Sequence, residues 1–149
     1  MKRVVLAVLN SVFGAPEEIN GAKRCPTYLW RWHLASAFGC RVYLHRFAGD
    51  DWSEDLHDHP KRFISLGLWG SYLEVTPAGE RRFRAPWARS FPATHQHRIR
   101  TPWGECWTLV ITLRATREWG FWNDGQFIQW REYTRGSSAH IADRRKTCR

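Results

Sequence analysis

An all-β fold built as a closed or sandwiched antiparallel sheet is what this chain predicts. Three observations carry the prediction. Short runs of alternating or continuous apolar residues recur along it, turns rich in Gly and Pro separate them, and 149 residues fit one domain. Frequent turns between short strands are the pattern of barrels and sandwiches.

Taken in order, residues 4–13 suit either a helix or an opening strand, because the period of their apolar residues does not choose. Pro16 to Lys23 reads as a loop with Asn20-Gly21 as its turn signal. Tyr28 to Phe38 reads as a strand ending at a turn on Gly39. Cys40 to Phe47 alternates clearly and predicts a strand, and the acidic stretch Gly49 to Asp55 predicts a loop. Phe63 to Trp69 is a second clear strand. Gly70 marks a bend or bulge, and Ser71 to Val75 continues extended. Thr76 to Gly79 is a turn. Arg81 to Ala85 and Trp87 to Phe91 are short edge-like strands around Pro86. Gln96 to Arg100 is extended. Cys106 to Leu113 is apolar almost throughout and predicts a central strand. Glu118 to Trp122 and Phe127 to Trp130 are short strands around Asn123-Asp124-Gly125, where Asp-Gly favours a tight hairpin. Helices are expected mainly within the first forty residues. Residues 1–134 form the domain, and 135–149 read as a flexible basic tail with a Gly-Ser start and an Arg144-Arg145-Lys146 cluster.

Composition narrows the functional classes. The formal charge is +9, which suits anionic partners and implies weak, nonspecific nucleic-acid binding through the basic surface and tail. The 10 Trp suggest wide sheets, a lined pocket or a homodimer contact. The 4 Cys (Cys25, Cys40, Cys106 and Cys148) are irregularly spaced and form no C-x-x-C, so no disulfide framework is expected. Cys106, in an apolar run, reads as a buried small side chain. A reduced, cytoplasmic protein is the expectation. Val4 to Phe13 follows Lys2-Arg3 in the manner of a signal peptide, but Asn10 and Ser11 interrupt its apolar core and no small-x-small site follows. No run reaches the length of a membrane span. The chain has no P-loop, dinucleotide fingerprint or G-x-S-x-G.

The chemistry concentrates in Leu56-His57-Asp58-His59-Pro60. Residues two apart on an extended strand share a face, so His57 and His59 can aim at one point while Asp58 turns elsewhere. His97 would complete a facial set of three neutral nitrogen ligands. Such a set suits Fe, Mn, Co, Ni or Zn.

These residues resemble the two motifs of the cupins. His57 and His59 match the paired metal histidines of the first motif, and Gly70 its closing glycine. Phe63 or Ile64 stands where that motif has a glutamate. Pro92 and His97 match the second motif, with Thr94 in place of its glycine. Leu56 to Pro60, Trp119-Gly120-Phe121-Trp122 and Trp130-Arg131-Glu132-Tyr133 also resemble small cupin-like proteins of bacteriophages and actinobacteria, from about Cys25 to Tyr133. The resemblance implies a small β-barrel or jelly roll after a short helical or irregular N-terminal region. It also implies homodimeric pairing and a divalent metal on His57, His59 and His97.

What the resemblance implies about activity is a metal-dependent enzyme acting on a small molecule. Without the glutamate, the site is either a three-histidine centre, as in thiol dioxygenases, or one completed by Glu74 or Asp55. His95 is an alternative to His97. An Fe(II) oxygenase is the first expectation; an isomerase, or a metal-stabilised protein that binds a ligand or nucleic acid, is the alternative. His45 and Glu74 are the catalytic candidates for proton transfer. His45 also suits a role behind a metal ligand or as a cross-strand polar partner. Tyr43, Tyr72, Trp107 and Trp119 suit a pocket wall or core packing. Arg81, Arg82, Arg84, Arg89, Arg98 and Arg100 suit an anionic substrate or an exposed sheet face. His33 and His140 carry no comparable context.

Overall fold

Alternation of buried and open residues organises the chain around one long strand. The computed structural model describes residues 2–20 and 26–135. Helix α1 (Lys2–Phe13) leads into β1 (Glu17–Ile19), β2 (Leu29–Ala37), β3 (Cys40–Phe47) and β4 (Leu56–His57). The long strand β5 (Lys61–Thr76) follows, then β6 (Gly79–Arg84), β7 (Trp87–Phe91) and β8 (Arg98–Arg100). The chain continues through β9 (Cys106–Ala115), β10 (Gly120–Asn123), β11 (Gln126–Gln129) and helix α2 (Trp130–Arg135).

The first half of β5 lies between β9 and β7, and its second half between β6 and β8, all antiparallel. Beyond β9 the sheet runs on through β3 and β2 to β1. The change of neighbours happens at a bulge between Gly67 and Trp69, followed by Gly70 at φ 81°. A β-carbon at Gly70 would stand 2.2 Å from the Glu105 carbonyl oxygen, so the bend needs glycine for its dihedral and for its close approach to β9. Bending β5 curls the sheet into a half-barrel of jelly-roll type, as the sequence predicts. Phe63, Tyr72, Phe83, Phe91, Ile99, Cys106 and Val110 fill its interior. Fully burying a side chain of this size contributes about 1.5–3 kcal/mol.

A smaller sheet, β11-β10-β4, closes one end. It packs with α2 through Phe121 and Tyr133, whose rings stack at 3.9 Å. Among the described residues no helix is long and apolar enough to cross a membrane.

Several local expectations change. Residues 4–13 resolve as helix, with Trp32 Nε1 donating to Asn10 Oδ1 at 3.0 Å. The loop expected from Pro16 contains β1, held to β2 by Arg31 donating to Glu17 at 2.8 Å. Trp130 is helical rather than extended. Gln129 Oε1 accepts the Arg131 backbone N–H at 2.8 Å, satisfying a donor of the first helical turn, and Trp130 stacks on Trp119 at 5.7 Å. Trp107 and Trp119 therefore do not belong to a pocket wall. Trp107 stacks on Trp32 at 5.8 Å, and Trp119 packs with α2. Arg81, Arg82 and Arg84 are exposed on β6, the sheet-face alternative, whereas Arg89, Arg98 and Arg100 are half-buried. The tail from residue 136, with His140 and Cys148, lies outside the described residues, as does Cys25.

Candidate metal centre

The two-residue strand β4 and the turn after it place His57 and His59. Only Leu56 and His57 are in the strand; Asp58 and His59 have left it. Backbone bonds hold the turn on both sides. His57 and His97 exchange N–H···O bonds of 2.8 and 2.9 Å, and His59 N–H donates to the Ala93 carbonyl at 3.0 Å. The result is a near-regular triangle of imidazoles, with centroid separations of 5.2 Å for His57–His59 and 5.0 Å for each of the other two pairs. His59 Nε2 and His97 Nε2 stand 2.9 Å apart. Two nitrogens bound at adjacent positions of a six-coordinate ion, with bonds of about 2.0–2.1 Å, would be about 2.9 Å apart. The side-chain nitrogens of His57, His59 and His97 all lie within 4.8 Å of one another, a spacing able to hold a metal ion.

The carboxylate behind this triangle is Glu74. It sits on the second half of β5, beyond the bend, and is 1% exposed. Its Oε1 is 2.7 Å from His97 Nδ1 and 2.8 Å from His95 Nε2. A proton on His97 Nδ1 satisfies the carboxylate and leaves the Nε2 lone pair facing His59. A carboxylate behind a histidine commonly fixes a metal ligand's tautomer in this way. Asp51 lies near His57, with Oδ2 3.7 Å from Nδ1, beyond hydrogen-bond length, and accepts the Ile99 N–H at 2.7 Å. A second group within 4.8 Å comprises Glu74, His95 and His97, and shares His97 with the first.

Charge favours a cation here. Burial pushes His97 down to about 4, against the upward pull of Glu74, and pushes His59 well below its ordinary value. Burial by itself would raise Glu74, but the hydrogen bonds from His95 and His97 outweigh it and hold the acid near 2. At neutral pH the ionised Glu74 carboxylate thus lies beside a neutral His97 imidazole, the protonation state a divalent ion needs.

The other carboxylate expected as a possible ligand, Asp55, is used elsewhere. It is buried, and its Oδ2 accepts Tyr133 O–H at 2.8 Å. Tyr133 Oη also lies 2.6 Å from Ser53 Oγ. That network ties the acidic loop to α2 and points Asp55 away from the histidines.

Asp58 has a role that no sequence pattern announces. It is fully buried, and its oxygens accept from Gly120 N–H at 2.9 Å, Trp122 Nε1 at 3.1 Å and Arg117 Nη1 at 2.6 Å. It clamps the turn between His57 and His59 onto β10. The only sequence signal is its position between two histidines, which sends it to the opposite face. Asp51 gives no signal either, because the Ile99 backbone it holds is distant in sequence.

His45 lies inside the half-barrel on β3, with its ring 5.8 Å from Phe47. Burial pushes it down to about 3. Tyr43 and Tyr72 also face inward; His33 is exposed and bonds Ser36 at 2.6 Å.

No protein-family model matches this chain, and no curated protein does. Solved structures match its architecture. A sugar phosphate isomerase of a cupin superfamily from Silicibacter pomeroyi superposes with a TM-score of 0.54 at 18% identity, over 63% of this chain and 65% of that one. The fold is cupin-like. A protein of unknown function from Rhizobium leguminosarum gives 0.51 at 14% identity, over 62% of this chain and 86% of its own. This chain spans just under two thirds of that isomerase, and at such identities the likeness to these two structures concerns architecture alone.

Proposed function

We propose that this chain is a cupin-type metalloenzyme acting on a small molecule, with His57, His59 and His97 holding a divalent ion. The observation that carries this reading is the Glu74–His97 pair. It orients Nε2 of a buried, neutral imidazole towards a second imidazole nitrogen 2.9 Å away, with an ionised carboxylate behind it. A divalent ion bound there would supply Lewis acidity and, as Fe(II), a means of activating O₂. Three nitrogen ligands with Glu74 held back favour the oxygenase reading.

Within it, the chain's own residues do the following. Glu74 fixes the His97 tautomer and is itself held by His95. Asp51 puts a carboxylate near His57 and holds the Ile99 backbone beside it. Asp58 keeps the turn in place, so that the rings converge without rearrangement. With both histidines on its Oε1 and its acid held near 2, Glu74 is better suited to positioning than to moving a proton. His45, kept neutral in the interior, serves as a polar contact to substrate. The site works in the cytoplasm as part of a homodimer, the exposed Val4, Val8 and Val12 of α1 supplying apolar surface for pairing.

Elemental analysis of the native protein, followed by His57→Ala, His59→Ala and His97→Ala, tests the centre. Near-stoichiometric metal, lost in each folded variant, is expected; equal content in all four proteins would sink it. Turnover screens under air and under nitrogen then separate oxygenation from the isomerase alternative.

A further inference from the structure

The interior sheet carries polar groups that the fold leaves unused. His45 on β3 pairs with Thr108 on β9, Thr108 with Gly67 on β5, and Gly67 with Trp87 on β7. Residues paired across adjacent strands project to the same face. Thr108 is 1% exposed, so that face is the interior. Three atoms of this one row, His45 Nε2, Thr108 Oγ1 and Trp87 Nε1, are buried without a hydrogen-bond partner among the described residues. Gly67 leaves the gap that brings them together. A β-carbon there would lie 2.1 Å from Trp87 Nε1, so the indole N–H occupies the place of the missing side chain, next to Thr108.

An unpaired buried polar group is costly, and three in one row call for an explanation. Nearby lies a cation of the same kind. Arg89, two residues along β7 from Trp87, points to the same face. Its guanidinium lies over the Phe83 and Phe91 rings at 5.4 and 5.2 Å and has no carboxylate partner among the described residues.

We propose that His45, Thr108, Trp87 and Arg89 form a substrate-recognition subsite for a compact hydroxylated oxyanion. The carboxylate or phosphate group binds Arg89 and the Trp87 N–H. An adjacent hydroxyl or carbonyl oxygen lies between Thr108 Oγ1 and His45 Nε2. The chemistry of each group sets this order. An indole N–H only donates and needs an acceptor oxygen, whereas a threonine hydroxyl and a neutral imidazole can each donate or accept. An unpaired guanidinium matches the two oxygens of an anion. Low protonation of His45 keeps it able to exchange hydrogen bonds with a hydroxyl. The inference rests on reading this interior as the substrate pocket of the proposed enzyme.

Calorimetric titration of the full chain with lactate, glycerol 3-phosphate and uncharged glycerol tests it, with thermal melts of the same samples. At least one anion should bind and glycerol should not; the anion that binds distinguishes carboxylate from phosphate. Arg89→Gln should weaken that binding about tenfold or more, and Thr108→Val about fivefold. Thr108→Val should also hold or raise the Tm of the free protein, because it deletes a buried hydroxyl that has no partner. Failure of both anions to bind at millimolar concentration overturns the subsite. Equal binding of glycerol, unchanged affinity in Arg89→Gln, or a lower Tm in Thr108→Val would do the same. Metal analysis of the same samples separates the two readings. Protein that binds the anion through Arg89 yet carries no metal removes the metal centre and keeps the subsite; metal-loaded protein that binds neither anion does the reverse.

Discussion

Asp58 and Glu74 are both buried carboxylates, yet the regions around them are built for opposite ends. Asp58 receives a backbone N–H, an indole N–H and a guanidinium, donors that remain donors at any ordinary pH. Its region, where β4 meets β10 and α2, is a brace. Glu74 is contacted by two histidines, whose protons can move, and the far nitrogen of His97 faces His59. The difference teaches that a carboxylate's role follows from the kind of donor satisfying it: fixed donors hold backbone in place, whereas imidazoles hold a tautomer ready for a ligand.

Acid should separate the two regions most strongly. His45 and His97 have folded values of about 3 and 4, below an unfolded value near 6.5. Between those limits the unfolded chain binds more protons, so stability falls as pH drops from about 6.5 towards 3. Their contribution is present in full above 6.5. For His97 alone the loss is on the order of 3 kcal/mol. Urea melts of chelator-treated protein from pH 7 to pH 4 should show the midpoint falling; a flat profile would contradict the neutral, desolvated histidines.

Breaking the brace should come next in size. Asp58→Ala strands buried donors of Gly120 and Trp122, at a cost of about 3 kcal/mol. Equilibrium denaturation measures it, and metal affinity should fall in parallel because the turn carrying His57 and His59 loses its anchor. Glu74→Gln probes the other region. It should weaken metal binding by about 10–100-fold, read by competition with a chromogenic chelator, while circular dichroism stays that of the wild type. A stability loss as large as that of Asp58→Ala, with metal affinity intact, would erase the distinction between the regions. The smallest effect is expected at Tyr133→Phe. Loss of the hydroxyl bonds to Asp55 and Ser53 should cost about 1–2 kcal/mol, with metal content unchanged.

How much of this was written in the sequence depends on the range of the interaction. The alternation of Cys40 to Phe47, the apolar run from Cys106 and the bend at Gly70 were legible, because each is a local pattern of side chain or dihedral. His57, His59 and His97 were legible as a group through short motifs, although β4 ends at His57 and the convergence of the rings comes from the bonds to residues 93 and 97 rather than from a continuing strand. The helix at Trp130 was missed because its cap and its stacking partner, Trp119, decide it rather than its own apolar pattern. The part of Asp58 depends on Gly120 and Trp122 sixty residues away, and that of Glu74 on a bulge that turns β5 into a second sheet. Only strand register could gather His45, Thr108, Gly67 and Trp87 into one row, since no local spacing links four residues drawn from four strands. Sequence by itself determined the longer strands and which residue types are available for chemistry. Tertiary structure decided which of them meet, because burial and hydrogen bonding depend on neighbours distant along the chain.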